Sequence, residues 1–341
     1  MLRRSIFAAT FAATLAAAPA MADSSFTSLY AFGDSLSDVG NLYYGLGGVF
    51  GPVSPPYFYG RFSSGPLWVE DVSQALGLGQ VTPSLLGGND YAVGGAYTGT
   101  TDVHAATFGD LPWQLQQFQA QSHTISSRTL FTLSIGANDV FEAVSALLGG
   151  APVDLSSVMS DAAANTAAFI TALHADGAEN LLLFDVPNLD LIPRFNALPP
   201  GLYPAGVPTP GELAAMYNAD LLADLEGLVA GGFKLFDIGV YDKLGEVVDN
   251  PQDYDLDNVT DACWTGNYTD ANSGTACSDP SHYLFWDEVH PTAAGHAIVA
   301  EFALAAIPEP STWAMLLTGF AGLGLAAARR ARRSAAARQL G

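Results

Sequence analysis

The stretch FGDSLSDVGN, residues 32–41, decides how the rest of the sequence is interpreted. An apolar run at residues 29–32 leads into it and is typical of a strand buried on both faces. Gly33 permits an abrupt turn, and the polar residues after it predict a turn that enters a helix. Ser35 is thereby placed at the carboxyl end of the first strand, where open parallel sheets hold their ligands. A serine there is a useful nucleophile only if other segments supply a base, an orienting acid and oxyanion donors.

The rest of the chain alternates between predicted strands and helices, which favours a five-stranded parallel sheet covered on both faces. Further strands are predicted at residues 89–96, 129–135, 180–186 and 233–238. Helices are predicted at 66–76, 111–121, 154–175 and 211–229, and a final helix is predicted to end at about residue 306. Residues 43–66 are rich in Gly, Pro and aromatic side chains and predict a long ordered loop, either a substrate wall or a loop packed on the core. Apolar residues follow no strong helical or strand period in residues 241–279.

The main body of the chain is strongly acidic. All but one of the 34 Asp and Glu residues lie between residues 23 and 307, but only five of the 12 Lys and Arg residues do. A surface of this charge repels nucleic acid and anionic lipid headgroups, which argues against a polyanion-binding role. Neutral and zwitterionic substrates are compatible with it, and the acidity itself is typical of an exported protein kept in solution.

Residues 1–22 have the composition of a secretory signal peptide. Arg3 and Arg4 precede an apolar core at residues 6–18, and the segment ends in small residues at Ala22, after which we expect cleavage. The alternative is a membrane anchor, but the apolar core is shorter than the about 20 residues that a spanning helix needs. The domain that follows is therefore predicted to begin at residue 23.

Cys263 and Cys277 are the only cysteines of the chain. A zinc site would need further ligands nearby, and only His282 is close. Two cysteines 14 residues apart in an exported chain therefore predict a disulfide rather than a metal site.

Three further segments carry groups that complete the chemistry available to the candidate serine. Asp287 and His290 are three residues apart, so the carboxylate can hold the imidazole and stabilise it when it takes a proton. Asn138 follows an apolar strand and has an amide that can donate to a developing oxyanion. The Gly94-Gly95 pair lets backbone N–H groups approach a ligand closely. Each segment alone is typical of a cap or a turn, but their order along the chain favours a catalytic site.

These four blocks resemble the GDSL, or SGNH, hydrolase superfamily across about residues 27–306. The Gly-Asp-Ser-Leu string is intact at residues 33–36, and the longer form of the stretch is similar to the lipase, esterase and thermolabile-haemolysin branch. The resemblance implies a flavodoxin-like three-layer α/β/α sandwich on the five-stranded sheet, with no metal or other cofactor. The Gly-x-Ser-x-Gly elbow is absent around the serine, which argues against a standard α/β-hydrolase.

The resemblance also implies a role for each candidate residue. Ser35 is expected to be the nucleophile, His290 the base and Asp287 the partner of that base. The N–H groups of Ser35 and Gly95 and the side chain of Asn138 are expected to form the oxyanion hole. The first glycine of the pair is an alternative donor, since the two positions differ by one residue.

Residues 308–341 resemble a PEP-CTERM sorting signal. Pro-Glu-Pro at 308–310 precedes an apolar segment at 313–328 and a basic cluster at 329–333. That resemblance implies recognition by an exosortase, a membrane protease-transpeptidase of Gram-negative bacteria, after transient anchoring to the inner membrane. An ordinary C-terminal anchor is the alternative, and both bring this segment into contact with membrane. We therefore expect a periplasmic, outer-surface or extracellular-matrix location.

The sequence thus predicts a hydrolase domain at residues 23–307 that is a secreted serine esterase or lipase, acting on small ester or lipid substrates through an acyl-enzyme on Ser35. A phospholipase, lysophospholipase or acyltransferase acting on lipid acyl groups is an alternative. The sorting tail suggests an exopolysaccharide deacetylase as another. An inactive surface or matrix binding protein belongs to a different class. Loss of one catalytic block would favour it, and all four blocks are present.

Deleting residues 308–341 should give a soluble, active protein that no longer associates with membrane, because all four blocks lie upstream of Ile307. Membrane fractionation and ester hydrolysis of the truncated and full-length proteins check this. A truncated protein that fails to fold would show that the tail belongs to the catalytic domain.

Overall fold

A parallel four-stranded sheet organises the part of the chain that the computed structural model describes, residues 26–48, 51–199, 202–203 and 206–308. The strands lie in the order β1-β2-β3-β4, and their register sets Phe32 beside Leu133 and Leu133 beside Leu183. The strands are β1 Ser28–Gly33, β2 Thr129–Ser134, β3 Asn180–Phe184 and β4 Lys234–Asp237.

Helices cover both faces of this sheet, because the strand residues are apolar on both sides. In β2, Leu130 points into one core while Phe131 and Leu133 point into the other. Two layers of helix follow from that alternation and give an α/β/α sandwich. The helices are α1 Asn41–Gly45, α2 Trp68–Ala75, α3 Leu111–Gln119, α4 Ala137–Leu148, α5 Leu155–Ala175, α6 Pro193–Asn196, α7 Pro210–Ala230, α8 Val240–Asp249 and α9 Ala293–Ala306.

One core lies between the sheet and α3, α4, α5 and α7, and the other lies between the sheet and α2 and α9. The long helices begin where the sequence places their caps. The Asp154 carboxylate accepts hydrogen bonds from the N–H groups of Ser156 and Ser157 at the start of α5. Thr209 and Glu212 form a capping box at the start of α7. Both helices pack on the same face of the sheet.

The fifth strand that the sequence predicts at residues 89–96 is not a regular strand of this sheet. The segment runs parallel to β1 and is joined to it by backbone hydrogen bonds, but its bridge to β1 is confined to Ala31 and Asp90. The Asp90 carboxylate accepts hydrogen bonds from the N–H groups of Val39 and Ala92. Backbone hydrogen bonds to β1 continue from the N–H of Tyr91 to Ala31 and from the N–H of Val93 to Gly33, and the chain turns at the glycine pair that follows.

Residues 241–279 contain regular elements that the sequence does not predict. Besides α8, the strand β5 Asn258–Ala262 pairs in parallel with β6 Tyr283–Phe285 in a separate small sheet. Val240 and Val247 of α8 are buried, and Tyr241, Leu244 and Val248 pack partly buried against the core. This spacing is that of an amphipathic helix, so the sequence carried a signal that the prediction for this segment missed.

A disulfide joins Cys263 and Cys277 beside this small sheet. Cys263 is buried in a cluster with Tyr57, Trp264 and Trp286. The bond therefore attaches an exposed, irregular segment to the residues that lead into β6 and the turn after it.

No helix within the described residues is long and apolar enough to cross a membrane. The predicted signal peptide at residues 1–22 and the predicted membrane segment at 313–328 lie outside the described residues.

Removing the disulfide should lower thermal stability. In the chain-entropy model, closing a ring of about 15 residues adds roughly 3 kcal/mol to the free energy of unfolding. In a chain of this size, its loss should lower the midpoint of thermal unfolding by roughly 5–10 °C. Thermal unfolding of the parent, with and without reductant, measures the effect.

The Cys263→Ser/Cys277→Ser double variant is the matched control, since reductant should not lower its midpoint further. Mass spectrometry of the unreduced exported protein should find the cross-linked peptide. Two freely alkylated cysteines would refute the pairing.

Candidate active site

A tight turn at the carboxyl end of β1 presents Ser35. Gly33 has a φ of +134°, and a Cβ at this position would collide with the carbonyl of Ser134 in β2, so only glycine fits. The carbonyl of Asp34 then accepts hydrogen bonds from the N–H groups of Ser37 and Asp38, at 3.1 and 3.0 Å. The serine is held between strand and turn with 8% of its surface exposed.

Ser35, His290 and Asp287 form a continuous chain of polar contacts. The Ser35 hydroxyl lies 2.8 Å from Nε2 of His290, although the two residues are 255 positions apart. Nδ1 of the same ring lies 2.9 Å from both carboxylate oxygens of Asp287. The imidazole is therefore positioned to accept the serine proton at one nitrogen while the carboxylate holds the other.

The Asp287 carboxylate is itself held by three donors. Its Oδ1 accepts hydrogen bonds from the N–H groups of Val289 and His290, and its Oδ2 accepts one of 2.7 Å from the Tyr57 hydroxyl. Burial raises the pKa of this carboxyl, but the charge of His290 and the hydrogen bonds from His290 and Val289 outweigh it. The pKa of Asp287 is therefore lowered from its usual value. The group stays ionised, as an orienting carboxylate must.

The glycine pair is fixed by another buried carboxylate, that of Asp38. Its Oδ2 accepts a 2.7 Å hydrogen bond from the N–H of Gly94, and its two oxygens also bind the N–H groups of residues 40, 41 and 42. Burial raises the pKa of Asp38 to about 6, although the hydrogen bonds from these N–H groups act to lower that pKa. With the first glycine occupied, Gly95 is the one of the pair whose N–H has no partner among the described residues.

Asn138 lies in the first turn of α4, directly after β2. Its Nδ2 donates a 2.9 Å hydrogen bond to the carbonyl of Ala96, one residue beyond Gly95. This bond fixes the amide plane and leaves the second N–H of the amide available. Asn138, Gly95 and Ser35 all line one cavity.

That cavity has a volume of about 390 Å³ and receives all five predicted site residues, Ser35, Gly95, Asn138, Asp287 and His290. Its walls are largely apolar, which suits a hydrocarbon chain. The wall residues include Leu36, Leu42, Phe62, Phe141, Leu189, Ile192 and Val289.

Both the predicted loop at residues 43–66 and the disulfide-closed segment contribute to this wall. Phe62 packs on the imidazole of His290 with ring centroids 4.9 Å apart, and Tyr268 packs on Phe62 at 5.3 Å. The backbone carbonyl of Tyr268 also accepts a 2.8 Å hydrogen bond from Val53. The loop was interpreted either as a substrate wall or as a loop packed on the core, and the structure places it in the wall of the cavity at these positions.

Asp34 is buried beside the candidate nucleophile. Burial raises the pKa of its carboxyl to about 7, although a 3.0 Å hydrogen bond from the N–H of Leu36 and the charge of His290 act in the opposite direction. Its carboxyl is therefore partly protonated at neutral pH, which limits the negative charge next to Ser35.

Tyr57 and Arg194 line the cavity, but no local sequence signal marks them as functional. Tyr57 is one of several aromatic residues of the long loop, and Arg194 is one of five basic residues between residues 23 and 307. Nothing local in the sequence connects Tyr57 to Asp287, 230 residues away.

Comparisons with known proteins identify a family for the main body of the chain and a motif for its tail. The family described as GDSL-like lipase/acylhydrolase matches residues 29–303, and the PEP-CTERM protein-sorting motif matches residues 306–333.

The chain is 27% identical over 323 residues to a phosphatidylcholine-sterol acyltransferase of Aeromonas hydrophila, covering 81% of this chain and 89% of that protein. It is 26% identical over 321 residues to a GDSL esterase/lipase of Arabidopsis thaliana, covering 82% and 89%. A solved structure of a lipolytic G-D-S-L family protein from Veillonella parvula aligns with a TM-score of 0.43 and 14% identity, covering 82% of this chain and 96% of that one. The family match spans most of the chain, which is therefore an ester-bond hydrolase of the GDSL-like lipase/acylhydrolase family with a C-terminal PEP-CTERM sorting motif.

Proposed function

We propose that the protein is a serine esterase or lipase that cleaves carboxylic esters through an acyl-enzyme on Ser35. The contact of 2.8 Å between the Ser35 hydroxyl and Nε2 of His290, with Asp287 on the other ring nitrogen, is the observation that carries the proposal. His290 takes the serine proton as the serine oxygen attacks the ester carbonyl, and Asp287 stabilises the imidazolium.

The negative charge that develops on the carbonyl oxygen needs donors already in place. The N–H groups of Ser35 and Gly95 and the amide of Asn138 are the proposed oxyanion hole, because each lines the cavity and has an uncommitted N–H. The imidazolium then protonates the leaving alcohol, the acyl group remains on serine, and a water activated by the same imidazole releases the acid.

Transfer of the acyl group to an alcohol other than water is the second candidate. The largely apolar wall of the cavity can hold an acyl chain or an apolar acceptor. The relative from Aeromonas hydrophila is named as an acyltransferase that uses phosphatidylcholine and a sterol. Lipid acyl esters are therefore the substrates to test beside small esters.

Export and sorting follow from the terminal segments of the chain. We infer a three-part organisation, with a signal peptide at residues 1–22, a hydrolase domain at 23–307 and a sorting tail at 308–341. The sorting motif at residues 306–333 supports processing by an exosortase in a Gram-negative cell. Residues 313–328 then anchor the protein to the inner membrane until the tail is removed.

Ser35→Ala should retain the fold and lose ester hydrolysis by several orders of magnitude, because the covalent route is removed. A fluorophosphonate probe should label the parent and not the variant. Near-parent turnover of p-nitrophenyl butyrate by Ser35→Ala would contradict the proposed mechanism.

Tyr57→Phe should lower kcat by roughly tenfold with little change in KM, because Asp287 loses a charge-assisted hydrogen bond that fixes its orientation toward His290 while the aromatic packing remains. A carboxylate without that donor stabilises the imidazolium more strongly. The acidic limb of the kcat/KM profile should therefore move to higher pH.

A merely structural role for Tyr57 would lower thermal stability without moving the pH profile. Tyr59→Phe is the matched control. Tyr59 lies in the same loop but is 71% exposed, so its variant should keep the parent profile. An unmoved acidic limb in Tyr57→Phe would contradict a positioning role.

A further inference from the structure

Gln114 is a buried carboxamide that belongs to none of the four sequence blocks. It lies on the buried face of α3 together with Leu111 and Phe118, and 0% of its surface is exposed. A buried carboxamide is costly unless its two N–H groups and its oxygen all have partners. The partners of this side chain therefore show which parts of the fold it holds together.

Both backbone groups of Gly33 pair with this carboxamide. Oε1 of Gln114 accepts a 2.9 Å hydrogen bond from the N–H of Gly33. Its Nε2 donates hydrogen bonds of 2.7 Å to the carbonyl of Gly33 and to the carbonyl of Gly109. Gly33 is the residue at which β1 turns toward Ser35, so the carboxamide binds the chain two residues before the candidate nucleophile, although it lies 81 positions away in the sequence.

The carboxamide replaces a bond of the β1 ladder. The N–H of Ala31 donates to the carbonyl of Asn89 in the neighbouring segment. A regular parallel ladder would continue two residues later, with the N–H of Gly33 donating to the carbonyl of Tyr91. Gln114 accepts that bond instead. The end of β1 is thus held by a helix side chain at the point where the neighbouring segment approaches the glycine pair.

The same bonds reach the segment that carries Gly95. The carbonyl of Gly33 also accepts a 3.0 Å hydrogen bond from the N–H of Val93, two residues before Gly95. Two residues after Gly95, the N–H of Tyr97 donates a 2.8 Å hydrogen bond to Oδ1 of Asp110, the residue that precedes α3. The helix that carries Gln114 is therefore bonded both to the turn that presents the candidate nucleophile and to the segment that presents the candidate oxyanion donor.

We propose that Gln114 is a positioning residue that sets the separation between the Ser35 hydroxyl and the N–H of Gly95. The inference rests on the proposed acyl-enzyme mechanism, in which both groups act on one ester carbonyl. The serine oxygen bonds to the carbonyl carbon while the N–H stabilises the carbonyl oxygen. Their separation has to be held closely, because a displacement of about 1 Å lowers the rate by roughly 10²-fold.

Gln114→Met tests the inference, because methionine has a similar length but cannot pair with the backbone groups around it. With p-nitrophenyl butyrate, kcat should fall by roughly 10²-fold while KM changes by less than about twofold, since the displaced groups act mainly in the transition state. Affinity for an alkyl boronic acid should fall by a similar factor. Such a compound forms a tetrahedral adduct on serine and needs the same two groups in register.

Asn180→Leu is the matched control for a merely structural role. Asn180 is another buried carboxamide, and its Nδ2 donates hydrogen bonds of 3.0 and 3.1 Å to the carbonyls of Ser127 and Thr129. These contacts lie at the amino ends of β2 and β3, at the edge of the sheet opposite the site. Both variants leave buried backbone groups unpaired and should lower the midpoint of thermal unfolding. Below those midpoints, Gln114→Met should lower kcat and Asn180→Leu should not.

Gln114→Glu keeps the inference testable if Gln114→Met does not fold. It retains an acceptor for the N–H of Gly33 but places a second oxygen against the carbonyls of Gly33 and Gly109. A protonated carboxyl donates to one of these carbonyls, whereas an ionised one repels both. The ratio of its kcat to that of the parent should therefore fall as the pH rises. Gln116→Glu, on the exposed face of the same helix, should keep a constant ratio.

A folded Gln114→Met variant with the kcat of the parent would overturn the inference and leave ester hydrolysis intact. Equal losses of kcat in Gln114→Met and Asn180→Leu would also overturn it, because they would reflect stability alone. A ratio that does not change with pH in Gln114→Glu would have the same consequence. Failure of the parent itself to cleave p-nitrophenyl butyrate would instead refute the proposed function.

Discussion

Buried carboxylates at one edge of the sheet hold the candidate site together. Asp38 binds the N–H of Gly94, Asp139 binds the N–H and hydroxyl of Thr98, and Asp287 binds His290. Each bond joins segments far apart in the sequence or fixes a turn, and a buried carboxylate is tolerated only when such donors satisfy it. The four sequence blocks are therefore not four independent loops. They are positioned by one another, and loss of one carboxylate would leave its donors unpaired in the interior.

This constraint also sets the charge around the nucleophile. Burial raises the pKa of Asp34 and of Asp139 to about 7, whereas the pKa of Asp287 is held below its usual value by His290 and its hydrogen bonds, against the effect of burial. Carboxyls near one another thus differ in ionisation, and the one in contact with the imidazole carries the charge. Among these buried carboxyls, Asp287 is the one whose pKa lies below its usual value.

The sequence predicts those parts of the site whose signals are local. The spacing of Asp287 and His290 and the stretch around Ser35 are visible in a few residues each. The contact between Tyr57 and Asp287 has no such signal, because it depends on how a loop folds back across the sheet. Choosing between the two glycines likewise needs the bond from Gly94 to Asp38. The parallel sheet was predictable from alternation alone, but local sequence does not reveal that residues 89–96 follow β1 with backbone hydrogen bonds and only one bridge, without forming a regular strand.

The disulfide links the redox state of the compartment to His290, the candidate catalytic histidine. The ring that it closes contains Tyr268, which packs on Phe62, and Phe62 in turn packs on His290. Few buried apolar contacts hold an exposed segment of this kind without a cross-link. Because disulfides persist in oxidising compartments, the wall of the cavity is expected to be best ordered after export. If the protein is exported as proposed, oxidation of the cysteines acts on the cavity through one short chain of packed rings and not through the serine itself.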